Sequence, residues 1–196
     1  MTPKEIIEEV KAITRRPEKE ALMYSTLNKV LKKLTTSTEL AQDLVEDIYT
    51  LPDPAQLTID VALSEFPRFR KMCYLVPIGY NNSLSVLVPD NMFDASCREI
   101  RDSYYIAGNV LRVNLARNVP AIRYGYFAYP EQQTADTLDA DKHWLCGVGD
   151  HILVDEVCAA IFRGIGDDAS SGQHFAEARL NWESLRHDVK YGGLIT

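Results

Sequence analysis

Residues 104–115 read YYIAGNVLRVNL and carry the clearest strand pattern in the chain. Tyr104-Tyr105-Ile106 is typical of a strand, and Gly108-Asn109 is typical of a tight turn. Residues 110–115 follow as a returning strand whose apolar and polar residues alternate imperfectly. This stretch therefore predicts a β-hairpin.

Further β-prone segments lie on both sides of this hairpin, at residues 57–61, 72–76, 84–88 and 122–129. Gly79-Tyr80-Asn81-Asn82 predicts a hairpin turn between the second and the third of them. Because the connections are too short for crossovers, we expect an antiparallel β-meander over residues 55–130. Seven of the ten tyrosines lie between residues 74 and 129. Aromatic residues suit a half-buried sheet, but tyrosine is also enriched at protein interfaces, and both interpretations stay open.

Helical patterns precede the β-rich region. Thr2-Pro3-Lys4-Glu5 predicts a capped helix start, and Ile6, Val10 and Ile13 follow at helical spacing. Tyr24, Leu27, Leu31 and Leu34 form the apolar stripe of a second helix. Residues 39–48 are compatible with a third helix, which Leu51-Pro52-Asp53-Pro54 would end.

Two more helices are predicted after the strands. Residues 152–165 are apolar nearly all round, as in a buried helix, and Gly164 and Gly166 end the pattern. Phe175, Ala178, Trp182, Leu185 and Val189 then form one apolar stripe. We predict a single α+β domain over residues 1–196, with helices at 1–50, a β-rich part at 55–130, a helical hairpin at 142–190 and an extended tail at 191–196.

The charge of the chain argues against a protein that grips nucleic acid by neutralising phosphates. The 196 residues carry a net charge of -7, and residues 131–196 hold 12 acidic and 5 basic side chains. These acids can be solvated helix faces, or they can meet a basic partner. The start of the chain lacks an apolar signal segment, and no apolar run is long enough to span a membrane, so we expect a protein made in a cytoplasm.

No catalytic, cofactor-binding or metal site is predicted, because the common phosphate-loop, dinucleotide, zinc-protease and hydrolase motifs are absent. His143, Cys146 and His151 are close in sequence and could bind a metal or form a Cys-His pair, or they could flank a turn around a buried thiol. Asp139 and Asp141 could act as paired carboxylates, but acids at this kind of position are more often solvated or capping groups.

The C-terminal tail is the predicted protein interface. Gly192-Gly193 breaks the last helix and leaves Leu194 and Ile195 without a following element. Such apolar residues need cover, either from their own domain or from a neighbouring subunit. The predicted interface residues are Tyr191, Gly192, Gly193, Leu194, Ile195 and, on the last helix, Trp182.

Several motifs occur in an order that is informative as a set. They are Leu27-Asn28 in the second helix, Arg70-Lys71 after Phe66-Pro67, YYIAGNVL at 104–111, YGYFAYP at 124–130, the helical hairpin at 155–188 with Gly166-Asp167 at its turn and Trp182 beyond, and Tyr191-Gly192-Gly193. In this order the chain resembles the head-to-tail adaptor (connector or head-completion) proteins of tailed bacteriophages, the group that contains the tail tubular protein A of short-tailed phages. The resemblance runs over most of the chain.

The resemblance implies a structural virion protein without enzymatic activity or cofactor. Such proteins form a ring, typically a dodecamer, between the portal protein and the tail nozzle or tail tube protein. The helical part packs between subunits, the C-terminal extension reaches toward the portal, and the β-rich part faces the tail. The ring lines the channel through which double-stranded DNA passes without sequence-specific binding. The implied location is the tail or neck of the virion, after assembly in the host cytoplasm.

Two other functions are compatible with the sequence. One is a small metal-dependent enzyme that uses His143, Cys146 and His151. The other is a regulatory or scaffold-binding module, non-viral in origin, whose helical hairpin docks one partner at simple stoichiometry.

Overall fold

The computed structural model describes residues 1–87 and 100–191, with the side chains of Lys190 and Tyr191 outside that description. The chain forms two compact units. A helical unit contains Met1–Gln42 and the chain from Pro130 onward, and a β unit contains Asp43–Tyr129. Both ends of the chain therefore contribute to the helical unit, and the β unit is an insertion in its sequence.

The described part of the helical unit has five α-helices. They are α1 (Pro3–Thr14), α2 (Glu20–Ser37), the short α3 (Leu145–Val148), α4 (Asp150–Gly164) and α5 (Asp168–Tyr191). The predicted capping box of α1 is confirmed, because the Glu5 amide donates to Thr2 Oγ1 (3.3 Å) and the Thr2 amide donates to Glu5 Oε2 (2.7 Å). Helix α1 ends at Arg15, which has the left-handed backbone conformation and lies two residues before Pro17.

Helix α4 forms the centre of the helical core and contacts α1, α2 and α5. Its buried residues lie on several sides of the helix, as its nearly continuous apolar sequence predicted. The buried members of this core are Ile6, Ile7, Val10, Met23, Leu27, Val30, Leu31, Leu34, Leu40, Leu145, Cys146, Ile152, Leu153, Val154, Val157, Cys158, Ile161, Ala178 and Trp182. The predicted stripes of α2 and α5 therefore face the core, except that Phe175 is exposed. Ile13 is also exposed, because the buried face of α1 is centred between Ile6 and Ile7.

The β unit has seven described strands in two sheets. They are β1 (Leu44–Thr50), β2 (Thr58–Ala62), β3 (Phe69–Pro77), β4 (Ser85–Val86), β5 (Ser103–Ala107), β6 (Val110–Asn114) and β7 (Ala121–Ala128). One sheet has the order β1-β7-β3 and is antiparallel throughout. The other has the order β2-β6-β5-β4, in which β4 and β5 run parallel and the other pairs antiparallel.

Aromatic side chains fill much of the core of the β unit. Tyr124 and Tyr126 are two residues apart in β7 and therefore point to the same face of the sheet. The Phe66 ring meets both of them edge-on, with ring centroids 5.0 and 5.7 Å away. Tyr104 and Tyr105 in β5 are also buried. Sheet packing is thus confirmed for four of the seven tyrosines in this region.

The predicted third helix at residues 39–48 is wrong. A short 3₁₀ turn at Ala41–Asp43 leads into β1, and all seven residues of β1 pair with β7. Val45, Ile48, Tyr49 and Thr50 favour a strand once such a partner is present, and this long-range pairing outweighs the local helical pattern. The helical block therefore ends before residue 44, and the β-rich part begins there rather than at residue 55.

The predicted meander is also wrong in its strand order. Among the described strands, β5 and β6 are the one pair that is both consecutive in the chain and paired antiparallel, joined by the predicted turn at Gly108-Asn109. The turn at residues 79–82 joins strands of different sheets, although the Leu84 amide still donates to the Leu75 carbonyl (2.8 Å). The parallel pairing of β4 with β5 was missed because the connection from Val86 to Ser103 is longer than a hairpin loop.

The predicted α+β class is confirmed, with helices at both ends of the chain and strands between them. The predicted helical hairpin is also confirmed, since α4 and α5 pack on each other and Gly166 takes a positive φ of 80° at the turn. The description of the chain as one domain stays a prediction. The structure itself divides the chain into two compact units. In the described ranges 1–87 and 100–191, no helix is both long enough and apolar enough to cross a bilayer.

Candidate functional site

The predicted interface begins on helix α5. Trp182 lies within this helix, is 9% exposed and packs into the helical core. Tyr191 is the last residue of α5. Gly192, Gly193, Leu194 and Ile195 lie outside the described residues. Packing within the unit is enough to account for the burial of Trp182, and the interface role of all six residues stays a prediction.

The structure places His143, Cys146 and His151 in three different environments. The Cys146 side chain is fully buried, and this burial raises the pKa of its thiol to about 11. His143 accepts a hydrogen bond from the Leu145 amide through Nδ1 (3.3 Å), whereas His151 is exposed beside Asp150. In the described part of the chain these three residues do not form one of the groups close enough to hold a metal ion. A buried, protonated thiol is also a poor nucleophile.

Asp139 and Asp141 lie in an exposed turn before α3. Lys142 Nζ donates to Asp139 Oδ1 (2.7 Å), and this hydrogen bond lowers the pKa of the Asp139 carboxyl. The Asp141 amide donates to the Leu138 carbonyl (3.0 Å) within the turn. Asp139 therefore pairs with Lys142, and this geometry favours the solvated turn.

Asn28 connects helix α2 by hydrogen bonds to the segment that follows the β unit. Its Nδ2 donates to the Gln133 carbonyl (2.8 Å), and its Oδ1 accepts from the Gln133 amide (2.7 Å). The Gln133 side chain is itself buried, and its Oε1 accepts from the His143 amide (3.1 Å). Asn28 and Gln133 both line a groove of about 840 Å³ between α2 and residues 132–135. The Leu27-Asn28 pair was noticed in the sequence, but its hydrogen-bonding partner 105 residues later was not.

Replacing Asn28 by alanine is expected to lower the free energy of unfolding by about 1–3 kcal/mol, because the buried Gln133 amide and carbonyl lose their partner. Urea denaturation measures the loss, and hydrogen exchange at the Gln133 amide should become faster in the folded protein. Asn82→Ala, in an exposed turn of the β unit, is the matched control and should change stability by less than about 0.5 kcal/mol. Unchanged exchange at Gln133 would contradict the role of Asn28.

A cluster that the sequence analysis did not find lies between α4 and α5. Asp155 comes from α4, and His174 and Glu177 come from successive turns of α5. His174 Nδ1 lies 2.8 Å from Asp155 Oδ1, and one ligand atom from each of the three residues lies within 4.8 Å of the others. His174 also stacks on Phe162, with ring centroids 5.5 Å apart and an interplanar angle of 9°. The register of the hairpin could have revealed this cluster, since Asp155 and His174 lie at similar distances from the turn at Gly166.

The helical unit also exposes apolar side chains. Leu180 on α5 is 69% exposed, and Leu22 on α2 and Leu138 before α3 are exposed as well. Phe175 on α5 lies under the Lys33 ammonium group, 5.4 Å from its ring centroid. Single exposed apolar residues are common on folded proteins, so these positions indicate an interface only where a partner covers them.

No protein-family model matches the chain, and no curated protein matches its sequence. The geometry of the described residues and the order of the sequence motifs are therefore the basis for any proposal of function.

Proposed function

We propose that this chain is a structural virion protein, a head-to-tail adaptor that forms a ring between the portal and the tail of a bacteriophage. In this role the protein has no catalytic turnover. Its subunits assemble as a ring, typically of twelve copies, on the portal protein. The tail nozzle or tail tube protein binds the other side, and double-stranded DNA passes through the ring when the genome is ejected.

The α4–α5 hairpin is the observation that carries the proposal. Helix α5 packs one face on the helical core, exposes Leu180 on another, and leads directly into the sequence Gly192-Gly193-Leu194-Ile195. An adaptor needs such an arrangement, because a helix anchored in its own subunit must lead into an apolar arm that another subunit or the portal covers. The motif order described above adds support from the rest of the chain.

The charge distribution fits the same role. Residues 131–196, which include the hairpin, hold the excess of acid in the chain. An acidic surface along a channel repels DNA phosphates, so that DNA can move past without sticking. The alternative enzyme hypothesis has less support, because His143, Cys146 and His151 are not grouped as a metal site in the described structure.

Light scattering tests the proposal through the native mass of the protein, alone and mixed with the portal ring encoded by the same genome. We expect a monomer alone that saturates the portal at one copy per portal subunit. A protein that binds a single partner at simple stoichiometry would instead support the regulatory or scaffold-binding module. A protein that ignores the portal would contradict the adaptor role.

The double variant Leu194→Asp/Ile195→Asp is expected to keep the fold and lose binding to the portal, because charged side chains cannot be buried at an apolar docking site without a large desolvation penalty. Far-ultraviolet circular dichroism checks the fold, and the same scattering experiment checks binding. The control is Ile48→Asp, an exposed position on β1 in the part expected to face the tail, and it should still bind the portal. If the double variant still bound the portal, the proposed role of the tail would be wrong.

A further inference from the structure

We propose that Asp155, His174 and Glu177 form a binding site for one divalent transition-metal ion, best suited to zinc. The three side chains come from two packed helices and offer one imidazole nitrogen and two carboxylate oxygens within 4.8 Å of one another. The sequence predicted no metal site, and this site does not include His143, Cys146 or His151. The inference is independent of the proposed adaptor function.

The ligand set selects the class of metal. Zinc binds histidine nitrogen and carboxylate oxygen, and three protein ligands plus water complete a four-coordinate site. Calcium and magnesium prefer oxygen ligands alone, and calcium takes six to eight of them. A single imidazole with two carboxylates therefore favours a transition metal over the alkaline-earth ions.

Two of the three ligands are already held in place. His174 and Asp155 have side chains that are only 19% and 15% exposed, and they contact each other at 2.8 Å. The parallel stack on Phe162 fixes the plane of the His174 ring. Both residues lie on helices of the unit's core, which position a side chain more closely than loops do.

Glu177 completes the site from the solvent side. It follows His174 by three residues, so that both side chains lie on the same face of α5. Glu177 is exposed, and its Oε1 accepts a hydrogen bond from Gln173 Nε2 (3.2 Å), which orients the carboxylate. The exposed position gives an ion a path to the two more buried ligands.

The electrostatics of the cluster also favour a cation. Two carboxylates that approach the same imidazole repel each other, and a divalent ion between them removes this repulsion. Because the ligands come from both helices of the hairpin, the bound ion would link α4 to α5 and stabilise the folded protein by mass action.

The test uses the tag-free full chain, stripped of metal with a chelator, and isothermal titration with Zn²⁺, Co²⁺ and Mg²⁺ as the probes. We expect one Zn²⁺ per chain, an increase in Tm on adding Zn²⁺, a visible absorption band with Co²⁺ and no saturable binding of Mg²⁺. His174→Ala and Glu177→Gln should each weaken Zn²⁺ binding at least about 100-fold, since even second-layer partners of metal ligands change affinity 10–100-fold.

The control variants come from the same helix. His187→Ala and Glu183→Gln change an exposed histidine and an exposed glutamate of α5 outside the cluster, and both should bind Zn²⁺ like the unaltered chain. If His174→Ala fails to fold, Glu177→Gln carries the test alone, because its site is exposed and its shape is unchanged. Absence of saturable Zn²⁺ binding, retained binding in Glu177→Gln, or equally tight Mg²⁺ binding would overturn the proposal.

Discussion

Replacing Trp182 by alanine is expected to lower the free energy of unfolding by about 3–5 kcal/mol. The indole is 9% exposed and belongs to the helical core, so truncation leaves a large cavity. The loss has two parts, the apolar surface that no longer leaves water on folding and the contacts that the cavity walls lose. Urea denaturation followed by far-ultraviolet circular dichroism measures the change in the helical signal.

Two further variants make this result specific. Trp182→Phe keeps an aromatic ring and should cost clearly less than alanine. Leu180→Ala lies two residues away on the exposed face and should change stability by less than about 0.5 kcal/mol. If Trp182→Ala kept nearly full stability and lost only portal binding, the indole would serve an interface, and packing within the unit would not explain its position.

Gly125→Val is expected to destabilise the protein by about 2–3 kcal/mol. Gly125 lies in the central strand β7, paired with Glu46 on one side and Tyr74 on the other. The Tyr74 ring crosses over the glycine, and its hydroxyl donates a hydrogen bond to Glu46 Oε1. A Cβ atom at position 125 would lie 2.5 Å from Tyr74 Cε1 and 2.8 Å from Cζ, so the ring must leave its place.

The cost combines steric displacement with the loss of the bond between Tyr74 and Glu46. That hydrogen bond is the main cause that raises the pKa of Tyr74 to about 12. A tyrosine whose pKa is higher in the folded state stabilises the fold below the unfolded value of about 10 and loses this contribution as the pH rises toward 12. We therefore expect Gly125→Val to be less stable than the unaltered protein at neutral pH. We also expect it to lose less additional stability than the unaltered protein as the pH becomes alkaline.

A double variant separates the steric part. In Gly125→Val/Tyr74→Ala the ring is gone, so the valine has room, and the double variant should be less destabilised than the sum of the two single changes. Chemical denaturation of the four proteins gives the coupling energy. Simple additivity would mean that Tyr74 does not occupy the space above Gly125.

The helices were predicted well where one periodic stripe had a single explanation. Leu27, Leu31 and Leu34 repeat along one face of α2, and burial of that face needs no knowledge of the partner. The α4–α5 hairpin was predictable for the same reason, with a glycine at the one position where the turn needs a positive φ.

The strand pairing could not be predicted from local pattern. Residues 44–50 carry both helical and strand character, and their partner β7 lies more than 70 residues further along the chain. The same holds for the separation of β3 and β4 into different sheets, because a turn motif specifies where the chain reverses but not which strand lies beside it. Long-range pairing, rather than propensity, decided both outcomes.

The candidate sites followed the same rule. Proximity in sequence suggested a site at His143, Cys146 and His151. In the structure the Cys146 thiol is buried, His143 accepts a hydrogen bond from a neighbouring amide in a turn, and His151 is exposed. Asp155 and His174 are 19 residues apart, and only the antiparallel packing of two helices brings them to 2.8 Å. The sequence therefore does not show that these two residues are neighbours in space unless the register of the hairpin is known.

The insertion of the β unit has a consequence for synthesis on the ribosome. Helices α1 and α2 are translated before α4, yet the apolar faces of both pack on α4, which follows more than 100 residues later. The β unit has all seven described strands available by residue 128, so it can fold while the first helices still wait for their partner. Until α4 has been translated, the stripe of α2 therefore lacks the helix that buries much of it in the folded protein.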